Sequence, residues 1–166
     1  MMKRVLAVCA AVGLATLSYV SAAQAGSKIT DYIDTKATTI KGTIETNSSG
    51  NVDPFVVQIY AGGTGTECLV VMDTAPKNFD ATATLVAPDG TVWFDDDSNG
   101  NLRPRIKAIT SSRGWFVLTI STYAGFAGTR DITLSYGRYP ASSANCSGAT
   151  SPLNFATAAT KAPVSE

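Results

Sequence analysis

Apolar and polar residues alternate along most of this chain, and the period is two. Side chains on a β-strand point to opposite faces in turn, so alternation over four to eight residues predicts a strand with one buried face. The first such run spans Thr39 to Glu45, with Ile40 and Ile44 on one side and Lys41, Thr43 and Glu45 on the other. Phe55 to Ala61 follows, with Phe55, Val57 and Ile59 aligned. Further runs are Glu67 to Asp73, Ala81 to Ala87, Thr91 to Phe94, Arg105 to Thr110, Trp115 to Thr122 and Arg130 to Tyr136. Turn chemistry separates them: Asn47 to Asn51, the glycine-rich Gly62 to Gly65, and Pro88-Asp89-Gly90, where proline presets φ and glycine accepts a positive one.

About eight short strands at this spacing, with no sustained helical periodicity, predict an all-β fold: an antiparallel, jelly-roll-like β-sandwich. Parallel α/β folds need crossover helices and are disfavoured. After Pro140 the composition turns to Ala, Ser and Thr. Such a segment buries too little apolar surface to fold alone, so residues 148–166 are expected to form a flexible tail, with Pro152 to Phe155 as a short stretch able to dock.

The N-terminus has a different pattern. Lys3 and Arg4 precede an apolar run from Val5 to about Val20, closed by Ala23-Gln24-Ala25. A membrane anchor needs roughly 20 apolar residues. This run is shorter and ends in a small-x-small cleavage pattern, so residues 1–25 read as a secretory signal peptide and 26–147 as the folded domain. Export is therefore expected, to the periplasm or the exterior. Cys9 lies inside the run rather than at its end, which does not suit lipid attachment.

Removing the signal changes both charge and cysteine accounting. The whole chain balances 13 basic residues against 13 acidic ones and has no histidine. Without Lys3 and Arg4, 11 basic residues face 13 acidic ones, and no basic face suggests nucleic acid. No second apolar run is long enough to span a membrane. Two cysteines remain, Cys68 and Cys146, and in an oxidising compartment they are most simply one disulfide.

The order of motifs from Ala83 to Tyr136 resembles the bacterial pre-peptidase C-terminal domain. It comprises an apolar strand with a Pro-Asp-Gly turn (ATLVAPDGTVWF), an acidic loop (DDDSNGNLRPRI), a strand announced by Arg113-Gly114-Trp115-Phe116-Val117, and the closing DITLSYG. Upstream, Asp53-Pro54-Phe55-Val56-Val57 is similar to that family's early strand, so the resemblance covers about Gly42 to Tyr136. It implies a jelly-roll-like sandwich with an accessory role beside exported enzymes; some relatives bind collagen or polysaccharide and some bind calcium. No catalytic domain precedes the segment in this sequence, so the role expected is that of a stand-alone module.

Within the acidic loop, Asp95, Asp97 and Asn99 place oxygens at alternate positions, and Gly100 permits a sharp turn. Such oxygens suit a hard cation. Calcium is the cofactor expected if a metal binds here, with Asp95, Asp97, Asn99 and Asn101 as ligands and Asp89 or Asp53 completing the shell. The loop is not an EF-hand, because its twelfth position is Ile106 rather than a glutamate. The competing reading is a solvated turn held by its own Asx hydrogen bonds, with Arg103, Arg105 and Lys107 as counter-charges.

Without histidine, Ser-His-Asp and Cys-His sites are excluded. The paired carboxylates lack the apolar surroundings and the cleft of a glycosidase. Trp93, Trp115, Tyr123, Phe126 and Tyr139 are the aromatic candidates for stacking on sugar rings, against the alternative that they pack internally. Tyr123 and Phe126, in the loop Tyr123 to Gly128, are the expected ligand contacts. The function expected is that of an exported, non-enzymatic binding or accessory domain recognising a surface polysaccharide or protein. The alternatives are an assembly component of the cell envelope and a small secreted enzyme with an unrecognised site.

Overall fold

The computed structural model describes residues 28–75, 79–123 and 128–154; the expected signal peptide, Phe126 and residues 155–166 lie outside the described residues. Ten strands form two sheets. They are β1 (Ile29–Ile33), β2 (Ala37–Thr46), β3 (Val52–Asp53), β4 (Phe55–Ala61), β5 (Glu67–Asp73), β6 (Ala81–Val86), β7 (Val92–Asp95), β8 (Arg105–Thr110), β9 (Gly114–Thr122) and β10 (Gly128–Pro140). One sheet runs β1-β4-β9-β6-β7 and the other β3-β2-β10-β5-β8. This is the all-β sandwich that the alternation predicts.

The expectation is corrected in two places. The strand count rises because β1 and the two-residue β3 join as edge strands. In addition, β1 pairs with β4 in parallel, with a shift of register between Ile29 and Asp31, so the fold is not wholly antiparallel. The polar Thr30, Asp31 and Asp34 interrupt any apolar run there, which hides the strand from a reading by periodicity.

The core forms where the inward positions of both sheets meet. Phe55, Val57 and Ile59 of β4 and Phe116, Leu118 and Ile120 of β9 face Ile44, Leu69, Val71, Ile106, Ile132 and Leu134. Trp93 is 2% exposed and belongs to this core. Gly42 is required on β2: a Cβ there would overlap the Phe55 ring. The buried carboxylate of Asp73 ends β5, its Oδ1 accepting the N–H groups of Ala75 (3.0 Å) and Thr133 (3.2 Å).

Cys68 and Cys146 form a disulfide, with Cα atoms 6.2 Å apart. It holds the segment after β10, including a 3-10 turn at Ala144–Cys146, over the outer face of β5. Cys68, Val70 and Cys146 make a second small apolar cluster there, with Met72 and Tyr139 packed against it. The chain then crosses the seam between the two sheets. Thr150 N–H donates to Lys107 O of β8 (3.0 Å), and Leu153 N–H donates to Val92 O of β7 (2.7 Å). The first residues assigned to the tail are therefore hydrogen-bonded to the sandwich. No described helix is long and apolar enough to cross a membrane.

Candidate functional site

The outward positions of the first sheet carry the exposed aromatic residues. Phe116, Leu118 and Ile120 point inward on β9, which turns Trp115 outward; on β4 the inward Ile59 turns Tyr60 outward. Tyr60 and Trp115 are directly paired across β4 and β9, with ring centroids 5.2 Å apart and planes at 54°. Tyr32 arrives on β1 beside Gln58, and its ring meets the edge of Trp115 at 6.0 Å and 87°. The exposures of Tyr32, Tyr60 and Trp115 are 61%, 40% and 44%. Val86, Val92 and Val117 lie in register with Gln58 along the next row, and all three are partly exposed.

A tilted contact and an edge-to-face contact join the three rings while their outer surfaces stay exposed. Such a platform suits stacking against flat apolar faces, above all the C–H faces of sugar rings. The sequence reading missed Tyr32 and Tyr60 as site residues. For Tyr60 the signal was present, since it falls out of phase with the inward Phe55-Val57-Ile59 alternation.

The expected ligand contacts lie elsewhere. Tyr123 is 70% exposed at the end of β9, and its N–H bonds to Asp80 O (3.0 Å). Phe126 lies outside the described residues. Tyr139 packs on the disulfide cluster and Trp93 in the core, so among the described aromatic candidates Trp115 is the one that enters the platform.

The acidic loop is organised by its own backbone. Asp95 Oδ2 accepts the N–H groups of Ser98 (3.1 Å) and Arg105 (2.7 Å). Asn99 Nδ2 donates to Asp73 O (2.8 Å), and Arg105 Nη2 donates to Ser98 O (2.7 Å). Asn101 and Leu102 both take left-handed φ, 54° and 58°. Asp97 is exposed. Partial loss of hydration, then the nearby carboxylates of Asp80, Asp96 and Asp95, push its carboxyl above the usual range.

Asp89 does not join this group. It sits in the β6–β7 turn, at the other end of β7 from Asp95, and the Thr91 N–H at 2.9 Å lowers its pKa. Asp53, on β3, is at the opposite edge of the second sheet from β8, where the loop ends. Among the described residues no three His, Cys, Asp or Glu are grouped to hold a metal ion.

No protein-family model and no curated protein matches the sequence. Among solved structures, the chain is similar to the pre-peptidase C-terminal domain of a collagenase from Bacillus anthracis, with 15% identity, 68% of this chain and 95% of that one covered, and a TM-score of 0.44. It is also similar to PliG of Aeromonas hydrophila, a periplasmic inhibitor of g-type lysozyme, with 11% identity, 68% and 97% covered, and a TM-score of 0.42. The architecture described above stands on its own strand pairing.

Proposed function

We propose that this protein is an exported, non-enzymatic binding module that holds a surface glycan on the outer face of its first sheet. The observation that carries the reading is the triad of Tyr32, Tyr60 and Trp115, apolar, adjacent and exposed. Contiguous exposed apolar surface marks interaction sites, and aromatic rings are its most effective components. Export fits a disulfide in the domain and the signal pattern at residues 1–25.

The mature protein, titrated with soluble glycans and sedimented with insoluble ones, should bind at least one class. Trp115 fluorescence should respond, and Trp115→Ala should weaken binding by about tenfold or more, the usual loss at a central aromatic anchor. Binding that survives Trp115→Ala and Tyr60→Ala unchanged would remove the aromatic face from the function. Retention of a protein instead of a glycan on this face would redirect the reading to a protein partner.

Calcium enters as a stabiliser rather than as a ligand bridge. Partial loss of hydration and then the charges of Asp80, Asp96 and Asp95 raise the Asp97 pKa, and a divalent cation near the loop, without three grouped carboxylates among the described residues to hold it, would act by relieving that repulsion. Millimolar calcium should then raise Tm, and Asp97→Ala should cancel the rise; an unchanged Tm removes the metal from the account.

A further inference from the structure

The aromatic face adjoins a cleft of about 260 Å³ at one end of the sandwich, lined by Lys36, Glu67, Arg138, Tyr139 and the turn residues Thr64 to Thr66. The two features share a border. The Tyr60 ring rests against Gly62, where a Cβ would come within 2.7 Å of it, and Gly62 opens the turn that runs into the cleft. Arg138 follows Ile132, Leu134 and Tyr136 on the inward side of β10 and reaches across to the other sheet, its Nη1 donating to Tyr60 O (3.1 Å). Lys36, four residues after Tyr32, accepts the Arg138 N–H on its carbonyl (2.7 Å).

The charges of the cleft are unequal. Glu67 is committed to its neighbours: Oε2 accepts the Gly63 N–H (3.3 Å), and Oε1 stands 3.7 Å from Arg138 Nε. Gly63 makes this possible, because a Cβ there would overlap the carboxylate. Arg138 is 11% exposed, held between Glu67 and the Tyr60 carbonyl. Lys36 is exposed at the rim and makes no ion pair among the described residues. Among the residues lining the cleft, two cations therefore face one carboxylate, and Arg138 ties that cleft to the main chain of Tyr60.

We propose that this cleft is an anionic subsite of the glycan site, taking the carboxylate of an acidic sugar, so that the glycan is a polyuronate. Lys36 contacts the carboxylate, and Arg138 adds fixed positive charge behind it. The inference rests on the glycan-binding reading above, and it adds a chemical class that the aromatic rings alone do not specify. A neutral glycan would use the platform and leave the cleft empty.

The test uses the mature protein with polygalacturonate, alginate and hyaluronate, each beside its methyl ester, which removes the charge and keeps the rings. The expected result is about tenfold tighter binding of at least one acid polymer than of its ester at low salt. Half-molar salt should shrink the ratio towards one. Lys36→Ala should equalise acid and ester without changing Tm, whereas Trp115→Ala should weaken both. Equal binding of acid and ester by the unaltered protein, or a preference that survives Lys36→Ala, overturns the anionic subsite and leaves the glycan reading in place. Trp115-dependent binding of polyglutamate as tight as that of the polyuronates overturns the sugar class in favour of an acidic peptide. Failure to bind any acid, ester or neutral glycan removes both readings.

Discussion

The two outer faces of the sandwich were made by the same alternation and then treated differently. On the second sheet, the outward Cys68, Val70 and Met72 of β5 and Tyr139 of β10 are covered by the chain's own residues after Pro140. On the first sheet, the outward Tyr32, Tyr60 and Trp115 are covered by no described residue to a comparable degree. Outward apolar residues on a strand need a cover or a purpose. The contrast shows that this chain has a device for covering such residues and uses it on one face, which is why the other face carries the functional proposal.

The largest expected effect comes from removing that cover. Replacing both cysteines (Cys68→Ala with Cys146→Ala) opens a loop with a sequence separation of 78 residues. The chain-entropy model puts such a closure at about 4 kcal/mol, read as a lower urea midpoint. Dye binding to exposed apolar surface should rise at the same time. If the midpoint stays put, the cover is not a stability element and the contrast between the faces fails.

An intermediate effect tests the core between the faces. Burial raises the Tyr136 pKa from 10.0 to about 12, Glu67 adding to the shift and Arg138 opposing it. The folded state therefore favours the neutral phenol. Its contribution is complete below pH 10, the unfolded value, and is lost as pH rises towards 12. Unfolding free energy should fall by about 2–3 kcal/mol across that window. Tyr136→Phe should remove this part of the fall, and at neutral pH it should cost little, because the buried hydroxyl has no hydrogen-bond partner among the described residues. A fall of the same size in Tyr136→Phe would assign it to other groups.

The smallest expected effect on stability is that of Trp115→Ala, about 1 kcal/mol for two ring contacts on a half-exposed side chain. The same change is expected to weaken glycan binding by tenfold or more, and this separation of stability from binding sharpens the comparison. A loss of several kcal/mol in the urea midpoint would instead make the aromatic triad a packing element like the covered face.

Much of the fold was legible because its signals are local. Glu67–Asp73 and Arg105–Thr110 have the same limits in the sequence reading and in the structure, since turn residues bound them on both sides. The disulfide followed from counting the cysteines left after an expected signal peptide. What escaped is non-local. Whether an outward residue is covered depends on where a distant segment docks, so Trp115 and Tyr139 look alike in sequence and differ in the fold. Tyr32 meets Trp115 through a parallel pairing that brings in β4 from more than twenty residues away. Asp89 is close to the acidic loop in sequence, but the length of β7 separates the two.

The crossing of residues 149–154 over the sheet seam also bears on how the molecule can associate. Thr150 and Leu153 occupy main-chain groups of β8 and β7, the two outermost strands on that flank, and an incoming strand would have to displace them. The opposite flank ends in β1 and β3. An incoming strand would therefore meet occupied carbonyls at Lys107 and Val92 on one flank and the edge strands β1 and β3 on the other.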